Sequence, residues 1–374
     1  MLIKEIEAEH VRVPLNSPYI FKRGTMTAFE SVIVRMTTDD GIVGYGESAP
    51  LFRAPNSDPK SIAKMLKGPI RQMLLGRDPF DIEMIVEQVL RFAEGNVDIV
   101  AGVDLALWDI MGKSLNQPIF KIIGGLCQDP IAVDYTLSAF EPTKMAEVAL
   151  RVYREGFQGF VVKITGQSLK EDILRVRSVR ESLPPGCTVR VDCNGAYSRD
   201  DAIEFIKAIS VFDIELVEDP VPADDMDGFT ECTKIGIPIS IDERLKTSED
   251  ALLLISHRAC NLMNIKIANV GGLCLAKRMA AIARAASIPV VVGGRTSLEI
   301  SRCASRHFAA STPGTMGRKH EGPGPASQDL SDDIVDQRTT RQIAGQANGQ
   351  VRVERTPGLG LNVVWEKVKH YAVK

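Results

Sequence analysis

Three stretches of the chain end an apolar run in acids: "CTVRVDCNG" at Asp192, "IELVEDP" at Glu218 and Asp219, and "IPISIDER" at Asp242 and Glu243. They are spaced roughly 25 residues apart, about one strand, one helix and two loops. Two more runs bracket them, "GFVVKITG" with Lys163 upstream and "NLMNIKIANVGG" with Lys266 downstream. One acid at a strand end is ordinarily a helix cap or an ion-pair partner, and one lysine is ordinarily a solvated loop residue. The order Lys–Asp–Glu–Asp–Lys on successive strand ends is much harder to obtain that way. Three carboxylates brought within a few ångströms cannot all stay ionised without a cation. Oxygen donors with no adjacent histidine suit Mg²⁺ better than zinc. Asp192, Glu218 and Asp242 are therefore the candidate metal ligands, and Lys163 and Lys266 would face each other across the metal.

The elements that would carry these groups repeat. From about residue 130 strand-like and helix-like runs alternate, and six or seven tandem βα units predict a parallel barrel. An open doubly wound sheet could also be built from such units, but the chain has no GxGxxG loop. In a barrel the loops at the carboxyl ends of the strands form the active site, and all five groups sit at such ends. Residues 1–50 read as strands, with a hairpin turning at Asp39, Asp40 and Gly41. Residues 59–123 read as helices, with apolar spacing through Val103, Leu107 and Ile110. The expected organisation is an N-terminal α+β capping domain over 1–125, a (β/α)7–8 barrel over 126–338, and a tail over 339–374 that returns to the cap.

Composition narrows the class. The 374 residues carry a net charge of −3, which gives no reason to expect nucleic acid or an acidic membrane as partner. No long apolar run or leader pattern is present, so a cytoplasmic protein is expected. The seven cysteines are scattered and form no CxxC pair, which suggests reduced thiols. Alternation should turn Cys193 away from Asp192 and Asn194. A small-molecule partner and a homo-oligomer are expected.

These motifs resemble the enolase superfamily, in particular its mandelate racemase and muconate lactonizing enzyme branch, along essentially the whole chain. "VRMTTDDGIVGYGES" and "GVDLALWDIMGKSLNQPIFKIIGG" are similar to that family's first domain. "VDCNG", "VEDP" and "IDER" resemble its metal-ligand motifs, "VVKITG" its strand-two lysine and "KIANVGGL" its strand-six lysine. The resemblance implies a TIM-like barrel with a cap, Mg²⁺ on Asp192, Glu218 and Asp242, and removal of a proton α to a carboxylate by Lys163 or Lys266. Muconate-lactonizing relatives usually carry Lys-x-Lys on strand two. Here Val161 stands at the first position. "VVVGGRTSLE" lacks the histidine expected of acid-sugar dehydratases.

Two opposed lysines suit racemisation or epimerisation of an amino-acid derivative. Dehydration or cycloisomerisation, for example of a hydroxyproline-type or muconate-type acid, is the alternative. The loops at 16–27 and 50–58 would select the substrate through Tyr19, Phe21, Lys22, Arg23 and Phe52. Arg295, Thr296, Glu299, His320 and Glu321 would contribute from the barrel side. A Schiff-base aldolase using Lys266 would leave the three acids without a task. A non-catalytic metal scaffold would not need both lysines.

Overall fold

The computed structural model describes residues 1–21, 24–50, 57–294, 297–314, 318–319, 330–336 and 349–373. Strands β1 (Ile3–Phe21), β2 (Gly24–Thr38) and β3 (Val43–Ser48) form an antiparallel sheet in that order. The β2–β3 turn falls at Asp39–Asp40, as the turn residues predict, with Gly41 in the left-handed region. Helices α1 (Pro59–Met65), α2 (Arg71–Leu74), α3 (Ile82–Phe92), α4 (Val97–Ser114) and α5 (Ile119–Ile122) follow. Helix α4 is apolar on nearly every side because it lies between the sheet and the second half of the molecule.

That half is a parallel barrel. β4 (Ile131–Val133) and β5 (Tyr135–Leu137) lead into α6 (Pro142–Arg154), β6 (Gly159–Lys163) and α7 (Leu169–Ser182). Next come β7 (Thr188–Asp192), α8 (Arg199–Ile209), β8 (Leu216–Glu218), α9 (Met226–Cys232), β9 (Ile239–Ile241) and α10 (Ser248–Ser256). β10 (Leu262–Ile265), the single turn α11 (Ile267–Val270), α12 (Leu273–Ala285), β11 (Val290–Val292) and α13 (Glu299–Ser311) complete the repeat. Strands β5 to β11 pair in parallel in sequence order. β12 (Arg318–Lys319) pairs in parallel with β4 and lies beside β11, which carries the sheet round toward closure.

The strands are buried on both faces, as parallel strands under a ring of helices must be. Val189, Val191 and Cys193 join the large core beneath the helices, so Cys193 does point away from the acids. Arg190 and Asp192 take the opposite, interior face. Arg190 is almost wholly buried and forms ion pairs with Asp134 and Glu215 at the floor of the barrel.

The cap docks through helix caps supplied in trans. Barrel helices run opposite to the strands, so their N-termini face the rim. At the start of α13 the capping position is Leu298, and at α12 it is Gly272, neither of which has a side chain that can cap. Glu47 of β3 accepts the N–H groups of Leu298 (2.8 Å) and Ser301 (3.0 Å). Asp104 of α4 accepts those of Leu273 (2.5 Å) and Cys274 (3.2 Å). A carboxylate so placed satisfies orphan donors and the positive helix end, for about 0.3–1 kcal/mol each or somewhat more when buried. Gly272 has φ +105, and a Cβ there would stand 2.2 Å from an Asp104 oxygen, so no other residue fits the turn.

The tail joins both halves. β13 (Gln350–Val351) pairs antiparallel with β4, and α14 (Trp365–His370) lies against β1. Buried His307 of α13 sits at the junction. Its Nδ1 accepts the Phe120 N–H (3.2 Å) and its Nε2 donates to the Leu359 carbonyl (3.1 Å). Both nitrogens are thus used by the neutral ring, and burial holds the imidazole down at about 4 from its usual 6.5. The unfolded chain takes up this proton near pH 6.5 and the folded one only near 4, so the stability His307 contributes is lost as pH falls through that window. The expected loss is roughly 3 kcal/mol at 1.36 kcal/mol per pH unit. Denaturant titrations from pH 7 to 4 should show His307→Asn, less stable at pH 7, converging on the parent as pH falls. A gap that stays constant would contradict this.

Candidate active site

Barrel strands bring the sequence-predicted groups to one rim. Lys163 pairs in register with Asp192, Asp192 with Glu218, and Glu218 with Ser240, two residues before Asp242. Asp192, Glu218 and Asp242 are all buried, as are Asp219 and Glu243 beside them. On one flank the Lys163 ammonium contacts Asp192 and donates to the Asn194 Oδ1 (3.0 Å). On the other, the Lys266 ammonium bridges Asp242 (2.7 Å) and Glu218 (3.3 Å). Strands β7, β8 and β9 lie between the two lysine-bearing strands.

Amide groups fix the acids. Asn264, two residues before Lys266 and on the same face, donates to Glu218 (2.8 Å). Asn269 donates to Asp242 (2.9 Å), and the Asn194 N–H donates to Asp192 (2.9 Å). Asp219 does a different job. It has φ +43, and its two oxygens accept the N–H groups of Asp242 (3.1 Å) and Glu243 (2.7 Å), tying the end of β8 to the end of β9. Gly293 ends β11 where a Cβ would come within 2.6 Å of the Lys266 side chain, so glycine keeps room for that lysine.

The electrostatics are lopsided. Five buried carboxylates, those of Asp192, Glu218, Asp219, Asp242 and Glu243, face two ammonium groups. Burial pushes the Glu218 carboxyl up to about 7, with Lys266 opposing and Asp192 and Asp242 adding to it. Burial alone would lower Lys266, yet Asp242 and Glu218 raise it well above its usual value. The two ammonium groups occupy places where a cation belongs, and the surplus of negative charge and hard oxygen donors fits a divalent ion. Among the described residues, Asp219, Asp242 and Glu243 form a group of acids with oxygens within 4.8 Å of one another. The Asp219 oxygens are already spent on backbone N–H groups. The row Asp192, Glu218, Asp242, against which both ammonium groups lie, is the second candidate cradle.

Residues 3–124 match the mandelate racemase/muconate lactonizing enzyme N-terminal domain, and residues 144–367 match the enolase C-terminal domain-like family. The chain belongs to the mandelate racemase/muconate lactonizing enzyme family of the enolase superfamily. Within that family it is 31% identical over 365 residues to the N-succinyl-L-Arg/Lys racemase of Bacillus cereus, covering 97% of this chain and 96% of that one. The crystal structure of that racemase superposes with TM-score 0.93 at 30% identity, covering 100% of this chain and 99% of that one. A dipeptide epimerase from Enterococcus faecalis, crystallised with Mg and the dipeptide L-Leu-L-Tyr, superposes at 0.89 with 27% identity, covering 97% and 100%. The muconate lactonizing enzyme of Pseudomonas fluorescens superposes at 0.91 with 26% identity, covering 100% and 99%.

Membership does not place every expected contact. Tyr19 and Phe21 lie at the end of β1. Lys22, Arg23, Phe52, Arg295, Thr296, His320 and Glu321 lie outside the described residues. Glu299 lies in the first turn of α13. It is wholly buried and forms ion pairs with Arg302 (3.0 Å) and Arg306. Reading the strand ends alone overlooks Asn264 and Asn269 as supports for the acids. Alternation two residues back from Lys266 would have found Asn264. Asn269 carries no such signal, because the single turn α11 brings it round. Among the described residues no helix is long and apolar enough to cross a membrane.

Proposed function

We propose that the protein is a Mg²⁺-dependent racemase or epimerase acting at the α-carbon of an N-acylated amino acid. The observation that carries this reading is the pair of buried lysines flanking one row of acids. Asp192, Glu218 and Asp242 hold the ion. Bound there, Mg²⁺ would offset the negative charge that develops on the substrate carboxylate when its α-proton leaves. Lys163 and Lys266 do the proton work. A lysine removes a proton only when neutral, and the acids that raise Lys266 are those assigned to the ion. One lysine takes the proton from one face and the other returns it on the opposite face, so the centre inverts. Val161 supplies no third ammonium group beside Lys163.

The substrate class rests on similarity. A succinylated amino acid and a dipeptide, named for the relatives, share an N-acyl group and a carboxylate on one α-carbon. Muconate cycloisomerases are relatives too, at 29% identity for that of Rhodococcus opacus, so cycloisomerisation is the second reading. Incubating N-succinyl amino acids, dipeptides and cis,cis-muconate with enzyme and Mg²⁺ in D₂O separates the two. Loss of the α-proton signal with both enantiomers of an N-acyl amino acid is expected. Turnover of muconate without exchange of any amino-acid derivative would overturn the proposal.

A further inference from the structure

The two lysines stand on supports that share no residue. Lys163 ends β6, and the loop that follows is held by Asp172 of α7, which is fully buried. One Asp172 oxygen accepts the Thr165 N–H (3.0 Å) and the Arg175 guanidinium (2.7 Å). The other accepts the Gly166 N–H (2.9 Å) and the Tyr197 hydroxyl (2.9 Å). Tyr197 belongs to the loop after Asp192, and Arg175 also donates to the Phe140 carbonyl (2.9 Å) after β5. One carboxylate therefore ties together the loops that follow three neighbouring barrel strands, all within the barrel.

Lys266 is held from the other half of the molecule. The turn after it, α11, packs on cap helix α4. Gly271 lies near Val100, and Gly272 lies against Asp104, which also caps α12. The Lys266 carbonyl accepts the Asn269 N–H (2.8 Å), so the turn and the lysine move as one unit.

We infer that Asp172 and Asp104 are positioning residues, Asp172 acting more on Lys163 and Asp104 more on Lys266, so that the barrel sets the geometry of one base and the cap that of the other. This inference rests on the two-base reading above. Each aspartate acts through the backbone that carries a lysine; the Tyr197 loop also leads back to Asp192, and Asn269 of α11 reaches Asp242, so each support bears more weakly on the acid row. A displacement of about 1 Å can cost some 10²-fold in rate, so each support should matter on its own face of the substrate.

The test uses the full-length Mg²⁺ enzyme and α-proton exchange of each enantiomer of one N-acyl amino acid in D₂O. Lys163→Ala and Lys266→Ala first establish which enantiomer each lysine serves. Asp172→Asn is then expected to slow exchange of the Lys163 enantiomer by about 10- to 100-fold more than that of the other. Asp104→Asn should give the mirror pattern. The ratio of the two kcat values within one preparation is independent of the folded fraction. A loosened cap would raise KM for both enantiomers alike without moving that ratio. Should either variant fail to fold, Tyr197→Phe and Val100→Ala probe the same two supports more gently. Equal slowing of both enantiomers, the reverse pattern, or an unmoved ratio overturns the inference. Absence of exchange in the parent enzyme, or loss of the same enantiomer in both lysine variants, would instead overturn the two-base reading.

Discussion

Lys163→Ala should abolish racemisation yet still exchange the α-proton of one enantiomer with solvent, and Lys266→Ala should do the same for the other enantiomer. Each lysine reaches the acid row from its own flank, Lys163 beside Asp192 and Lys266 beside Asp242 and Glu218. Inversion needs both faces, because a proton taken from one side must be returned from the other. Exchange with retention needs only one base, which can return solvent deuterium to the face it took the proton from. A general acid–base group is typically worth about 10²–10⁴ in rate, so the lost exchange should be plain by NMR while the retained exchange stays measurable. Mass spectrometry of recovered substrate, with chiral chromatography, reads both quantities in one sample. If both variants lose exchange with the same single enantiomer, one lysine is the sole base and a cycloisomerase or dehydratase becomes the better description. Val161, where a second strand-two lysine would otherwise stand, would then be the first position to restore.

Removing the metal should have an effect at least as large, and one visible without substrate. EDTA is expected to abolish α-proton exchange, and added Mg²⁺ to restore it. A ligand that binds only the folded state at about 100 times its Kd adds roughly 2.7 kcal/mol of stability. Mg²⁺ should therefore raise the unfolding midpoint of the apo protein in a thermal or denaturant titration. Glu218→Gln should erase that rise, because an amide removes one charge from a hard-cation site. The metal-free variant should be no less stable than the parent at pH 7. Burial already pushes the Glu218 carboxyl up to about 7, so the amide resembles a form the native protein readily adopts. Asn264 donates to Glu218, and an amide oxygen in the same place can keep accepting that hydrogen bond. Full exchange in EDTA, or an unchanged Mg²⁺ response in Glu218→Gln, would remove these residues from the metal assignment. An intact response combined with loss of the response in an Asp219→Asn variant would move the ion to the cluster of Asp219, Asp242 and Glu243.

Much of this protein is legible without coordinates because its information is local and periodic. A parallel strand under helices must be apolar throughout, so a polar residue at its carboxyl end stands out, and spacing of one βα unit repeats the signal. That logic is enough to nominate Lys163, Asp192, Glu218, Asp242 and Lys266, and alternation within β7 correctly separates Cys193 from Asp192. What the sequence leaves undecided depends on contacts between residues far apart in the chain. Nothing local to Glu299 announces its ion pairs with Arg302 and Arg306. Leu298 and Gly272 look like poor helix starts until Glu47 arrives from the cap to accept the N–H groups of Leu298 and Ser301, and Asp104 those of Leu273 and Cys274. Asp219 looks equivalent to Glu218 beside it, and only its positive φ turns its carboxylate onto the backbone of the next strand. The residue types that can do chemistry were determined by the one-dimensional pattern. Which of them are left facing the rim, and which are consumed in holding the others still, was decided by tertiary packing, because a buried polar group must find a partner and that partner is set by the fold rather than by sequence distance.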